Sequence, residues 1–414
     1  MDREGTIAAT PPAVASGAEL ATDGRAAADQ RLEVRVTTSN GSWTAAFVLE
    51  QTLGHITHSA NLRALVPPAD PTLEAHIVPV EFAIDEHRIP NPIWSNWTVR
   101  AGLRARRGLR RLRRPTGDGR REIDAMFVHT QVPAVLLGRA MRRVPTVVSI
   151  DATPLQYDEL GEFYAHDLGP RWLERAKFEA NRRCFSRAAH LVTWSQWARL
   201  GLRDGYGIPT DKVSVIAPGV DLERWSRPAD TGTSSDGPVR VLFVGGDLRR
   251  KGGDLLIEAC RRLAHEPDLP AVELHLVTTA DVEPGPGVVV HRSLTANSPG
   301  LIEQYHHADV FCLPTLGDCL PMVLAEAAAS GLPLVSTDVG AISEIVRQGV
   351  TGELVPVGDV EALIAALRKL VGDRAYRLSC GREARALAAA EHDARANAKR
   401  IVDTLRTVAH VRPA

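Results

Sequence analysis

Short apolar runs alternate with amphipathic helical ones over the second half of this chain, and few folds accept that pattern. From residue 239 the order is strand "VRVLFVGG", helix "DLLIEACRRLA", strand "VELHLVTT", helix "LIEQYHHA" and strand "DVFCLPT". It continues with helix "MVLAEAAAS", strand "LPLVST" and helices "ISEIVRQG" and "EALIAALRKLV". Strands that are apolar throughout, each followed by a helix, belong in a parallel sheet covered on both faces. Just upstream, residues 226–238 read "SRPADTGTSSDGP", with almost nothing to bury, and mark a linker between domains.

The first half shows the same alternation less cleanly. Residues 1–30 are rich in Ala, Thr and Gly without periodicity, and read as a disordered leader. "LEVRVTTSNGSW" reads as a strand closed by an Asn-Gly turn, and a helix is expected from about Trp43 to Leu65. "AHIVPVEF", "IDAMFVHT", "VPTVVSIDAT", "AHLVTWS" and "KVSVIAPGV" are strand-like, and residues 170–188 helical. At 414 residues the chain exceeds one ordinary core. The expected layout is therefore two doubly wound α/β domains, 31–225 and 239–390, with a helical segment 391–414 that can pack back on the first. Ligands of such folds sit at the carboxyl ends of the strands, and the cleft between two such domains is the natural site.

Composition narrows the function. A net charge of −1 gives no overall pull toward nucleic acid. No apolar run approaches the roughly 20 residues that span a bilayer, and no basic-then-apolar secretory signal opens the chain, so a cytoplasmic protein is expected. Cys184, Cys260, Cys312, Cys319 and Cys380 form no CxxC pair and read as reduced, buried thiols.

Two clusters carry chemistry. In "PTLGDCLPMVLAEAAASG", Asp318 lies in the loop after a strand, Pro321 suits a first helical position, and Gly331 ends the helix. The helix start favours an anion such as a diphosphate, Glu326 can accept hydrogen bonds from a ribose diol, and Asp318 can meet hydroxyls beyond the phosphates. The plainer reading makes Asp318 a helix cap and Glu326 a solvated helix residue. In "FVGGDLRRKGGDLL", Gly245 and Gly246 let the backbone turn and approach a ligand, while Arg249, Arg250 and Lys251 offer charge to phosphate. The alternative is a surface basic loop. Neither G-x-G-x-x-G nor G-K-[ST] is present, which argues against a nicotinamide site and a P-loop. In the first half, Gly54, His129 and Asp151 end strands or open a helix toward the expected cleft. His55 and His58 share a helix face, but two histidines make an incomplete metal site, and no metal is expected. Ser195 and Gly219 to Asp221 fall near the boundary.

These motifs resemble a family 4 retaining glycosyltransferase of the two-Rossmann GT-B architecture. That family shows "FVGR" with a Lys-Gly after it, "E-G-F-G-x-x-x-x-E-A", "G-x-P-V-V-A-T-D-x-G-G" and "E-I-V-x-x-G-x-T-G-x-L-V-P-x-G-D". The counterparts here are "FVGGDLRRKGG", "GDCLPMVLAEAAASGLPLVSTDVGA" and "EIVRQGVTGELVPVGD", in the same order, with 326 minus 318 equal to 8. The resemblance covers residues 185–370 well and the first half only loosely. It implies an acceptor domain at 31–225 and a nucleotide-sugar domain at 239–390. It implies that Glu326 binds the nucleotide ribose, that Asp318 sits beside the donor sugar, and that Lys251 with Arg250 or Arg249 neutralises the leaving diphosphate. Asp318 replaces the usual first Glu, Cys319, Leu320 and Pro321 replace "GFG" ahead of Met322 in the loop near the sugar, and Gly246 replaces an Arg. These departures bear on the donor sugar.

The expected activity is sugar transfer from a nucleotide diphosphate sugar to a hydroxyl on a carbohydrate, glycolipid or small molecule, with no cofactor. The rivals are a nucleotide-sugar epimerase or hydrolase of the same fold and a catalytically silent nucleotide-sugar binder. One feature stands apart. Arg100, Arg104, Arg106, Arg107, Arg110, Arg111, Arg113 and Arg114 place eight positive charges in fifteen residues. Leu103, Leu109 and Leu112 give the segment a thin apolar stripe, and no aromatic residues interleave for base stacking. Either a solvated face or peripheral contact with anionic lipid at the inner membrane face fits this run.

Overall fold

The computed structural model describes residues 42–52, 54–81, 96–112, 122–161, 169–228 and 237–410. The expected leader, the strand near residue 32, its Asn-Gly turn, most of the linker, Arg113 and Arg114 lie outside them. The described residues form an α/β protein with two six-stranded parallel sheets.

The first sheet contains β1 (Trp43–Gln51), β2 (Leu73–Glu81), β3 (Ala125–His129), β4 (Thr146–Ile150), β5 (His190–Thr193) and β6 (Val213–Val215), in the order β2-β1-β3-β4-β5-β6. The second contains β7 (Val239–Val244), β8 (Val272–Val277), β9 (Val288–His291), β10 (Val310–Leu313), β11 (Leu334–Thr337) and β12 (Gly352–Val355), in the order β12-β11-β10-β7-β8-β9. Counted from its own first strand, that is the 3-2-1-4-5-6 arrangement of a dinucleotide fold. The order of the parallel strands reverses once in each sheet, between β1 and β3 in the first lobe and between β7 and β10 in the second. A crevice opens at each reversal.

The longer helices are α1 (His55–Ala69), α2 (Trp97–Leu112), α3 (Arg171–Arg187), α4 (Gln196–Tyr206), α5 (Gly253–Leu263), α6 (Pro299–His307), α7 (Met322–Ala329), α8 (Val360–Gly372), α9 (Arg374–Glu391) and α10 (Ala394–His410). The helix expected from Trp43 is instead β1 followed, after a short turn, by α1. β1 is covered on both faces. Ala45, Phe47 and Leu49 pack with Leu62 and Val66 of α1, while Ala46 and Val48 pack with Ala101, Ala105 and Leu109 of α2. A strand buried on both sides shows no polar alternation, and an apolar run of that kind does not distinguish strand from helix. "ISEIVRQG" was expected to be a helix and forms only the single turn Ile342–Glu344. The Thr351 hydroxyl accepts the Arg347 amide at 2.7 Å and Gly349 adopts a positive φ of 71°, so the chain reverses there.

α10 returns to the first lobe, where Ile401, Val402, Leu405 and Val408 bury against Trp43, Phe47 and Leu62. Arg406 reaches Asp70 at 3.3 Å. The chain therefore crosses between lobes twice, near Val220 and near Asp393, and the two passages run side by side. The Val220 amide donates to the His392 carbonyl at 2.9 Å and the Ala394 amide to the Val220 carbonyl at 3.1 Å.

Candidate active site

At the crevice between β7 and β10, the basic loop after β7 lies against the loop after β10. The Leu316 amide donates to the Arg250 carbonyl at 2.8 Å, and Arg250 Nη1 donates to the Gly317 carbonyl at 2.8 Å. Gly252 makes this approach possible, since its φ is +74° and an added Cβ would lie 1.9 Å from the Pro314 carbonyl oxygen. The result is a charge cluster. Lys251 Nζ ion-pairs with Asp318 Oδ2, Arg250 Nη1 lies 3.8 Å from the same oxygen, and Arg250 Nε meets Asp247 at 3.2 Å. Asp318 is thus not a helix cap. α7 starts at Met322 with Pro321 one position before it and no side-chain cap. Arg249 is exposed beside the cluster. Gly245 packs close to Lys251, whose Cγ would be 3.1 Å from a Cβ there, and a Cβ at Gly246 would lie 3.8 Å from the Thr279 hydroxyl.

A second clamp holds Asp318 from above β11. Gly340, at φ +59°, lies where a Cβ would come within 2.3 Å of the Asp318 carbonyl, and the Ala341 amide donates to the Cys319 carbonyl at 2.8 Å. The side chains of Cys319, Leu320 and Met322 are buried, and Leu320 and Met322 belong to the lobe's core. What this loop offers a ligand is therefore backbone. Glu326 is not solvated. It is 4% exposed, its Oε2 accepts from the Tyr305 hydroxyl at 2.9 Å, and burial pushes its carboxyl up to about 7.

The crevice of the first lobe is built differently. His55 Nδ1 lies 3.0 Å from His129 Nε2, and His55 Nε2 lies 3.9 Å from Asp151 Oδ2. Asp151 also accepts from the Tyr157 hydroxyl and, at 2.9 Å, from the Ala152 amide. Trp194 stacks flat on His129, with centroids 5.3 Å apart. Burial holds His129 neutral and pushes His58 down to about 3. Next to it, Glu50 accepts from the Thr130 hydroxyl and, at 2.6 Å, from Trp97 Nε1. Gly54 caps α1 at an ordinary helical φ of −62°, and a Cβ there would meet nothing. Among the described residues no three His, Cys, Asp or Glu side chains are grouped to hold a metal ion.

The lobes touch through Glu344, just after the Gly340 clamp. Its Oε1 and Oε2 accept the Trp197 and Gln196 amides at 2.8 Å each, so a second-lobe carboxylate caps α4 of the first lobe. Ser195 supplies the other cap, accepting the Ala198 amide at 3.1 Å. Sequence reasoning gave no role to Glu344, Tyr305, Tyr157 or Trp194. Tyr305 and Trp194 lie inside a helical and a strand-like run with no charge to single them out, and Glu344 lies in the stretch expected to be a helix.

Two family models match, one described as Glycosyltransferase Family 4 over residues 25–224 and one as Glycosyl transferases group 1 over residues 238–373. The chain belongs to glycosyltransferase family 4. Among curated relatives, a D-inositol 3-phosphate glycosyltransferase of Geodermatophilus obscurus is 31% identical over 233 residues, 50% of this chain and 51% of that protein. The amylovoran biosynthesis glycosyltransferase AmsK of Erwinia amylovora is 31% identical over 182 residues, 40% of this chain and 43% of that one. The chain thus spans about half the length of the curated relatives it matches. Solved structures share the GT-B fold of this family 4 member at low identity. Sucrose-phosphate synthase of Thermosynechococcus elongatus superposes with a TM-score of 0.69 at 17% identity, covering 89% of this chain and all of that one. HepE of Anabaena, in complex with UDP and glucose, gives 0.64 at 17% identity, covering 88% and 100%.

Proposed function

We propose that this chain transfers a sugar from a nucleotide diphosphate sugar to an acceptor hydroxyl, with retention at the anomeric carbon. The observation that carries the reading is the Lys251–Asp318–Arg250 cluster at the crevice of the second lobe. On this reading Lys251 and Arg250 neutralise the diphosphate as it leaves, which is electrostatic stabilisation at a preorganised site. Asp318 releases Lys251 toward the phosphates and turns to the donor sugar's hydroxyls. Glu326 takes the ribose, and Arg249, Gly245 and Gly246 line the approach of the phosphates. The acceptor, a carbohydrate, glycolipid or small molecule, lies against Asp151 and His55, with the fully buried His129 behind His55 at 3.0 Å. Burial disfavours the protonated form of His129, so it orients His55 rather than taking the acceptor's proton itself. A phosphate oxygen of the leaving group then takes the acceptor's proton on the same face of the sugar. We expect no metal requirement, because the basic pair supplies the positive charge. HepE's complexes with UDP and with UDP-glucose make a uridine donor the first to try.

The test is thermal stabilisation by a panel of nucleotide diphosphate sugars, followed by product analysis with and without acceptor. Transfer products of unchanged anomeric configuration are expected. Free sugar or an epimer formed without acceptor would replace this reading with a hydrolase or epimerase, and tight donor binding without any turnover would make the protein a silent binder.

A peripheral contact with anionic lipid remains part of the proposal because of α2. Its buried stripe is Ala101, Gly102, Ala105 and Leu109, not the leucines alone, and Arg107, Arg110 and Arg111 are exposed. Arg100 and Arg104 instead lie 5.8 Å over the Trp97 ring, so the outward charge is smaller than the count of arginines. No helix among the described residues is long and apolar enough to cross a membrane. Co-sedimentation with anionic vesicles that falls with salt supports the contact, and equal recovery with neutral vesicles removes it.

A further inference from the structure

Glu326 is a buried carboxylate with only half of its hydrogen-bonding met by protein. Oε2 has the Tyr305 hydroxyl, while Oε1 has no protein donor among the described residues and is not one of the fully enclosed unpaired atoms. An ionised carboxylate out of water needs several donors, and the hydroxyls of a ligand can supply the missing ones. Tyr305 itself is fully buried and its position is set by two rings. Phe311 of β10 stacks on it at 5.6 Å and 12°, and Trp225 meets it edge-on at 5.0 Å and 87°. Trp225 belongs to the segment that leaves the first lobe, where its amide donates to the Asp221 carbonyl at 3.0 Å. A continuous packed path therefore runs from the inter-lobe crossing through Trp225 and Tyr305 to Glu326.

We propose that Tyr305 is a positioning residue for donor recognition, holding Glu326 so that its second oxygen meets the vicinal hydroxyls of the nucleotide's ribose, with Trp225 seating Tyr305. This rests on the donor reading given above. It makes the ribose, rather than the base or the sugar, the part of the donor that senses the crossing segment. Burial is the larger influence on Glu326, and Tyr305 is the one titratable side chain acting on it, favouring the ionised form.

Tyr305→Phe removes the hydroxyl and keeps both ring contacts. Calorimetric binding of UDP and of its 2′,3′-dideoxy analogue to the full chain, wild type and variant, from pH 6 to 9, separates the possibilities. In the wild type, loss of the ribose hydroxyls should weaken binding roughly tenfold, as expected for a charge-assisted hydrogen bond. In Tyr305→Phe, UDP itself should bind roughly tenfold more weakly, the dideoxy penalty should shrink to about threefold or less, and the acid-side loss of affinity should move to higher pH. Trp225→Phe should shift all three in the same direction by less, and it serves as the working variant if Tyr305→Phe does not fold. A full ribose penalty and an unmoved pH profile in the variants would overturn the positioning role while leaving the donor reading intact. A wild type that binds no nucleoside diphosphate would overturn both.

Discussion

The two crevices sit at equivalent points of the two sheets and are opposite in character. Between β7 and β10 lie a lysine, an arginine and an aspartate within reach of one oxygen, with a glutamate buried nearby. Between β1 and β3 lie imidazoles held neutral by burial, an indole stacked on one of them, an aspartate restrained by a tyrosine, and the buried Glu50 bonded to Thr130 and Trp97. The difference teaches a division of labour. Formal charge is collected where a diphosphate would depart, and neutral hydrogen-bonding groups are collected where a hydroxyl would wait.

The largest break in this contrast is Lys251→Ala. Removing one preorganised electrostatic group typically costs 10²–10³ in rate. We expect about a hundredfold loss in kcat at saturating donor, and a loss under tenfold would move the leaving-group role to Arg250 or Arg249. Glu326→Gln comes next and has two readouts. Donor affinity should fall roughly tenfold. Stability should move the other way, because the folded protein holds this carboxyl at about 7 against an ordinary 4.5. As pH rises from 4.5 to 7 the unfolded chain ionises first, so the native carboxyl lowers stability progressively through that window. The full penalty, up to roughly 3 kcal/mol, is present above pH 7. The Gln variant should therefore melt higher than wild type at pH 8 and near it at pH 4.5, and equal melting at both would contradict the raised titration of this buried acid. His129→Phe keeps a ring against Trp194 and removes the nitrogens. It should raise acceptor KM about fivefold while donor affinity changes less than twofold, and a donor effect as large as that of Lys251→Ala would erase the contrast between crevices. The smallest effect belongs to Glu344→Gln, which weakens two backbone bonds between lobes. A loss of about 1 kcal/mol in stability and about twofold in kcat/KM is expected.

Most of the second lobe was legible because its strands are four to six apolar residues set off by Gly, Pro or Thr, as in "VRVLFVGG" and "DVFCLPT". β9, "VVVH", and β12, "GELV", are the edge strands of the sheet and are broken up by His291 and by Gly352 and Glu353, and α9 hides its amphipathicity in alanines around a buried Arg377. Lys251 and Asp318 were each readable as charge in a loop. Their pairing was not, because the two residues are 67 positions apart in sequence and meet only because β7 and β10 are neighbours, which is a property of topology. Tyr305 looked like any core aromatic, since a phenol and its carboxylate partner leave no spacing signature across separate helices. Glu344 escaped for a simpler reason. A carboxylate that caps a helix in another lobe resembles any exposed acid until the lobes are assembled.

The doubled crossing at Val220 and Asp393 has a mechanical consequence. One extended strand between two bodies is a swivel, free to bend in two directions and to twist. Two strands fastened side by side through His392 and Ala394 act as a leaf spring, compliant across the ribbon and stiff within its plane and against torsion. Asn397, which bonds the Ala217 carbonyl at 3.0 Å, rivets one end of that ribbon. The two lobes are thereby joined by a paired ribbon rather than by a single segment of chain.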